Sequence, residues 1–66
     1  MDNNIKEIRK KLGYNQENLA KKCNVSRQTI NAIENNKYDP SLILAFRLAS
    51  VLQTKVDEIF NYKDIY

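Results

Sequence analysis

Four residues in one short stretch, Arg27, Gln28, Asn31 and Ala32, are of the types that read the edges of nucleic-acid bases. Arg can bond guanine O6 and N7 as a fork, Gln and Asn can do the same for adenine N6 and N7, and Ala can touch a thymine methyl. Their spacing brings them together. On a helical wheel Arg27, Gln28, Asn31, Ala32 and Asn35 fill one arc, and Ile30 and Ile33 lie on the other side. One face is anchored and the other is offered. A face that was only solvated would more often carry Glu and Lys, so Arg27, Gln28, Asn31 and Ala32 are the candidate base contacts. Ser26, Thr29, Asn35, Lys37 and Tyr38 could hold backbone phosphates or simply cover the ends of the helix. Phosphate contacts orient a protein on a duplex without specifying sequence.

The charge distribution agrees with an anionic partner. Residues 1–37 hold eight Lys/Arg against four acids, whereas residues 38–66 hold three against four. A basic half of this kind is what counterion release from a phosphate backbone rewards, although a solvated surface could look the same. Other chemistries lack their residues. The chain has no His and one Cys, Cys23, which excludes an intramolecular disulfide and leaves no metal-ligand set. Cys23 fits a small buried hydrophobe better than a redox sensor. No nucleophile with a base, phosphate-cradling Gly loop or isolated carboxylate pair can be picked out, so no enzyme, cofactor or small-molecule ligand is expected. No apolar run approaches the roughly 20 residues of a membrane span, and Met1-Asp2-Asn3-Asn4 is polar where a secretory leader would be basic and then apolar. A reducing cytoplasm is the expected setting.

Five short helices must position these residues. The first runs from about Asn4 to Leu12 with Ile5, Ile8 and Leu12 on one stripe, and Gly13 supplies a left-handed stop. The second starts after Asn15, a good N-cap, sets Leu19, Ala20 and Cys23 on one face, and stops at Asn24. Ser26 caps the third, Arg27 to about Asn35. After a turn at Asn36-Lys37-Tyr38-Asp39-Pro40, Ser41 caps a fourth helix to Leu52, with Leu42, Ala45, Leu48, Ala49 and Leu52 facing inward and Ile43 pointing away. Thr54 and Asp57 have capping-box spacing, opening a short fifth helix through Phe60. The tail, Asn61 to Tyr66, stays open, with room for a short terminal β-ribbon in which it pairs with Met1 to Asn4. The expected fold is all-α, one domain over 1–66, with a helix-turn-helix at about 16–35 and a core and dimerisation part at 41–66.

Three runs, Asn15-Gln16-Glu17-Asn18-Leu19-Ala20, Val25-Ser26-Arg27-Gln28-Thr29-Ile30 and Ile33-Glu34-Asn35-Asn36-Lys37, resemble the signature of the phage repressor and Cro family of helix-turn-helix regulators, the XRE family. The likeness continues through Pro40-Ser41-Leu42 and Asp57-Glu58-Ile59-Phe60 and so covers about residues 4–60. It implies a compact five-helix, lambda-repressor-like domain that binds a double-stranded DNA operator through helix three in the major groove. Gln16 resembles a family residue that contacts phosphate and braces the position of Gln28. Arg9 and Glu34 match an Arg and a Glu that pair, and each borders its own helix's apolar stripe. In length and tail the chain is similar to the small dimeric regulators of the enterococcal cytolysin-repressor type. That implies a homodimer, with Ile43, Ile59, Tyr62, Ile65 and Tyr66 as the expected interface, and a near-palindromic operator.

The chain departs from the family at Asn24 and Asn36, where Gly is usual, and at Tyr14, where a smaller aliphatic is common. Asn tolerates a left-handed backbone better than other non-Gly residues, so the turns should survive. Repression is the expected outcome, since so short a chain shows no activation domain. A protein-interaction module, such as an antitoxin or adaptor, is the alternative on the same fold. Exposed aromatics or aliphatics on the helix-three face would favour it.

Overall fold

Three of the five helices start on a side chain that accepts from the first turn's backbone, as the local sequence requires. A computed structural model describes residues 1–61 and contains α1 (Ile5–Lys11), α2 (Gln16–Cys23), α3 (Arg27–Glu34), α4 (Leu42–Val51) and α5 (Val56–Ile59). Asn15 accepts from the Asn18 N–H and Asn18 answers with its own side chain, a reciprocal box at the start of α2. Ser26 and Ser41 accept from the N–H groups of Thr29 and Leu44 and open α3 and α4. Termination is equally local. Gly13 (φ 81°), Asn24 (φ 60°) and Asn36 (φ 61°) take the left-handed backbone that ends α1, α2 and the turn after α3. Gln53 does the same after α4 at φ 57°, which its residue type does not foretell.

The start of α5 differs from expectation. Lys55 is the N-cap and gives no side-chain bond, because the Thr54 N–H closes the end of α4 on Ala49 O at 2.9 Å. Thr54 Oγ1 donates instead to Glu58 Oε2 at 2.8 Å, and Asp57 takes no part.

The helices surround one core. Ile5, Leu19, Cys23, Ile30, Ile33, Leu48, Leu52 and Ile59 are fully buried, with Ala20, Leu44, Ala45, Ala49 and Phe60 close to it. Each fully buried Leu or Ile contributes about 1.5–3 kcal/mol by leaving water. α2 packs on both α3 and α4, and α4 packs on α5. Ala20, small as the helix crossing requires, is 2% exposed. Leu12, expected on the inner stripe, is exposed, and Ile8 is half-buried. In α4 the inner stripe runs through Leu44, Ala45, Leu48, Ala49 and Leu52. Leu42, expected to face inward, is 71% exposed, since it lies on a flank of the first turn that no other helix covers.

The two ends of the described chain meet at one antiparallel bridge, Asn3 to Phe60. Asn4 N donates to Ile59 O at 2.8 Å and Asn61 N to Asp2 O at 2.9 Å. Asn3 Nδ2 also donates to Ile33 O at 2.8 Å, so the N-terminal segment satisfies a carbonyl at the end of α3. Any longer pairing of the tail lies outside the described residues.

Candidate nucleic-acid interface

α2, the turn Asn24-Val25-Ser26 and α3 form the unit that carries the candidate contacts. Ile30 and Ile33 hold α3 against the core, Val25 is half-buried in the turn, and the opposite face is left to solvent. Arg27, Gln28 and Asn31 are exposed there and line one shallow depression, with Ala32 half-buried beside them. Among the described residues the Arg27 and Gln28 side chains make no hydrogen bond, so their donors and acceptors are available to a ligand. The structure therefore places all four expected base-reading residues on one surface.

The expected phosphate contacts surround this face. Ser26 Oγ accepts from Thr29 N at 3.1 Å and lies 2.9 Å from Thr29 Oγ1, so both hydroxyls sit at the start of α3. Asn35 Nδ2 donates to Asn31 O at 2.9 Å and to Asn31 Oδ1 at 3.2 Å. Lys37 and Tyr38 follow the left-handed Asn36 and are exposed. Gln16 opens α2 at the near edge, half-buried. The resemblance implies that its amide braces Gln28, but among the described residues it makes no hydrogen bond to Gln28. Nε2 donates to Glu34 Oε1 at 3.1 Å, and Oε1 accepts from Asn31 Nδ2 at 3.5 Å. Glu34 attracts the amide because its carboxylate is the strongest acceptor within reach.

That carboxylate belongs to a buried ion pair. Arg9 Nε donates to Glu34 Oε2 at 2.8 Å and Arg9 Nη2 to Glu34 Oε1 at 3.1 Å, a bidentate fork. Arg9 Nη1 reaches Tyr14 O at 3.1 Å, tying in the loop between α1 and α2. The two side chains are only 8% and 4% exposed. Arg9 and Glu34 therefore cancel inside the domain, and the positive field comes from the exposed cations, among them Lys6, Lys10, Lys11, Lys21, Lys22, Arg27 and Lys37. Tyr14, large for its position, is half-buried, and the Lys22 ammonium stands 5.4 Å from its ring centre.

The expected dimer surface is only partly there. Ile43 is 66% exposed, as expected, but Ile59 is fully buried within the protomer and has no side-chain surface to offer. It fills the core beneath α4 because the single turn of α5 points it inward. Tyr62, Ile65 and Tyr66 lie outside the described residues. Sequence reasoning missed Leu42 and Phe46, which are exposed beside Ile43. They border an open groove of about 810 Å³ floored by Ala45, Ala49, Val56 and Phe60. An i, i+4 pair of large apolar residues on the α4 flank, Leu42 and Phe46, was the available signal. Sequence reasoning also took only Asn15 as the cap of α2; Asn18, three residues on, was the available signal for the reciprocal bond.

Comparison with known proteins agrees with this geometry. The helix-turn-helix family profile matches residues 5–59. An uncharacterised HTH-type transcriptional regulator of Methanocaldococcus jannaschii is 53% identical over 64 residues, covering 97% of each chain. Among solved structures, a SinR/SinI protein complex superposes with a TM-score of 0.80 at 32% identity, covering 89% of this chain and 58% of that one. The restriction-modification controller protein C.AhdI from Aeromonas hydrophila gives 0.78 at 28% identity, covering 85% of each. No helix among the described residues is long and apolar enough to cross a membrane.

Proposed function

The chain belongs to the XRE-type helix-turn-helix family of DNA-binding transcriptional regulators, which are not enzymes, and from that premise we propose that it is a repressor acting as a homodimer on a near-palindromic operator. The observation that carries this reading is the α3 face, where Arg27, Gln28 and Asn31 are exposed on a helix that Ile30 and Ile33 anchor. In the major groove Arg27 reads guanine, Gln28 and Asn31 read adenine, and Ala32 meets a thymine methyl. Ser26, Thr29, Gln16, Asn35, Lys37 and Tyr38 hold phosphates on either side and set the register. Such a regulator works in the cytoplasm, where its operator is.

Dimerisation is supported by the apolar flank of α4. Leu42, Ile43 and Phe46 are each more than half exposed, a cluster that a monomeric domain seldom leaves in water. A second copy covers it, and the two α3 helices then address half-sites about 34 Å apart. The same flank favours a second reading, a protein-interaction module, in which a different protein covers it; the SinR neighbour was solved with SinI. That reading leaves the α3 face unexplained. Selection of bound duplexes from a random pool, together with sedimentation of the free protein, tests both. Enrichment of a near-palindrome by a dimer supports the proposal. Failure to enrich any sequence overturns it.

A further inference from the structure

The Glu34 side chain is buried beneath the α3 surface and, among the described residues, is hydrogen-bonded to Arg9 and Gln16 and to none of the four candidate base contacts. A carboxylate only accepts hydrogen bonds, whereas Gln and Asn amides can face either way. Arg9 holds the Glu34 carboxylate in place with two bonds of 2.8 and 3.1 Å. Gln16 must then turn its Nε2 toward Glu34 Oε1, 3.1 Å away, because the opposite orientation would set oxygen against oxygen. This leaves Gln16 Oε1 facing α3, where only a donor can meet it, and Asn31 presents Nδ2 at 3.5 Å. Asn31 Oδ1 accordingly faces the other way, accepting from Asn35 Nδ2 at 3.2 Å. The polarity of Asn31 is thus set from two sides, by the chain Glu34–Gln16 from the core and by Asn35, whose Nδ2 is itself turned inward by its 2.9 Å bond to Asn31 O.

Resting on the reading of α3 as the base-reading helix, we propose that Glu34 is a specificity-determining positioning residue: through Gln16, and together with Asn35, it fixes which edge of the Asn31 amide donates and which accepts. Asn31 keeps one N–H and one oxygen lone pair free. Together these match adenine N7 and the N6 amine in one order only. With Gln16 gone, Asn35 alone holds the amide, so the second order becomes more populated and the preference among base pairs falls. The Arg9–Glu34 pair therefore contributes to sequence choice as well as to packing.

The test compares the wild-type chain with Asn31→Ala, Gln16→Met and Glu34→Gln, each titrated against the selected operator and its single-base-pair variants. Asn31→Ala should lower the preference at one base pair by on the order of tenfold. Gln16→Met, which keeps the side-chain length but ends the relay, should lower the preference at that same base pair several-fold and leave the pairs read by Arg27 and Gln28 unchanged. Glu34→Gln can reverse the relay and should do likewise without touching DNA. If Gln16→Met instead weakens every duplex equally and preserves the Asn31 preference, Gln16 is a phosphate contact only and the relay is wrong, while base reading stands. If Asn31→Ala changes no preference on a bound operator, the relay is wrong as well. A measurement without DNA guards against a Glu34→Gln chain that does not fold or a chain that selects no operator. In amide NMR spectra, Gln16→Met should move the Asn31 side-chain NH2 signals toward those of a free asparagine. Unmoved signals overturn the relay directly.

Discussion

The guanidinium of Arg9 and the carboxylate of Glu34 meet as a bidentate pair, 2.8 Å at the closest, bridging α1 to the last turn of α3 inside the domain. Desolvation offsets most of the attraction in such a pair, so replacing both partners costs little, whereas removing one strands a charge. Glu34→Ala should destabilise by about 3–5 kcal/mol. Glu17→Ala removes only an exposed carboxylate 3.9 Å from Lys21 and should cost no more than about 0.5 kcal/mol. Adding Arg9→Leu to Glu34→Ala should recover part of the loss. Urea melts of the wild type, Glu34→Ala, Arg9→Leu, the double variant and Glu17→Ala check this, and small, strictly additive losses at Arg9 and Glu34 would reject the coupling.

This pair shows what a sequence discloses and what it withholds. Arg9 and Glu34 could be set at the edge of a core because each borders an apolar stripe, and stripes are local. The same locality made Ser26, Ser41, Gly13 and Asn24 legible as starts and stops. Leu42 was misread because periodicity cannot say which flank of a first turn another helix will cover. Ile59 was misread as surface because a single turn has too little periodicity to show its buried side. Gln16 bonds Asn31 rather than Gln28 because the position of Glu34, from another helix, decides how its amide turns. Each miss depends on a contact between elements distant in sequence.

Two left-handed positions make opposite predictions. At Gly13, φ is 81° and a Cβ would meet nothing within 4 Å, so Gly13→Ala suffers only backbone strain. That cost is about 1–2 kcal/mol. Gln53 already bears such strain at φ 57° with its side chain exposed. Gln53→Gly should therefore stabilise by up to about 1 kcal/mol, once the larger entropy of an unfolded glycine is set against the relief. Thermal melts check both signs, and a loss at Gln53→Gly would show that its side chain is used.

Dimerisation through α4 predicts that charge on the exposed flank separates the protomers. Phe46→Lys and Ile43→Lys leave the buried stripe of Leu44, Leu48 and Leu52 untouched and should preserve helicity. Sedimentation at tens of micromolar should show a monomer for both variants and a dimer for the wild type. A wild-type monomer would remove α4 from the interface.

Cys23 should be inert while the chain is folded. It is fully buried, and that burial pushes the thiol above its ordinary range, with Arg47 pulling it partly back. The unfolded chain then loses the thiol proton first, and between the two pKa values it binds fewer protons than the fold. Stability from this group is complete below the ordinary thiol range and falls as pH rises through it. Iodoacetamide labelling should track global unfolding, and the stability gap between wild type and Cys23→Ala should narrow above about pH 8.5. Rapid labelling at neutral pH would show that the core opens locally.

The division of labour on DNA can be read from salt. Arg27 and Gln28 are free side chains on the offered face, and a good bidentate base contact discriminates by about 1–3 kcal/mol. Arg27→Ala or Gln28→Ala should lose that amount per half-site on the operator and relax the preference at one base pair, with little change on random duplex for Gln28. Lys37 stands beyond the end of α3, exposed, and on the proposed docking it meets a phosphate. Lys37→Ala should weaken operator and random duplex alike and lower the slope of log affinity against log salt by about 1 per protomer, one counterion fewer being released. Arg27 carries a charge as well, so its slope can fall too. Gln28 has none, and its slope should not move. Fluorescence anisotropy titrations over a range of salt concentrations separate the two classes. If Gln28→Ala and Lys37→Ala lost specific and non-specific binding in equal proportion, α3 would not be the element that reads sequence.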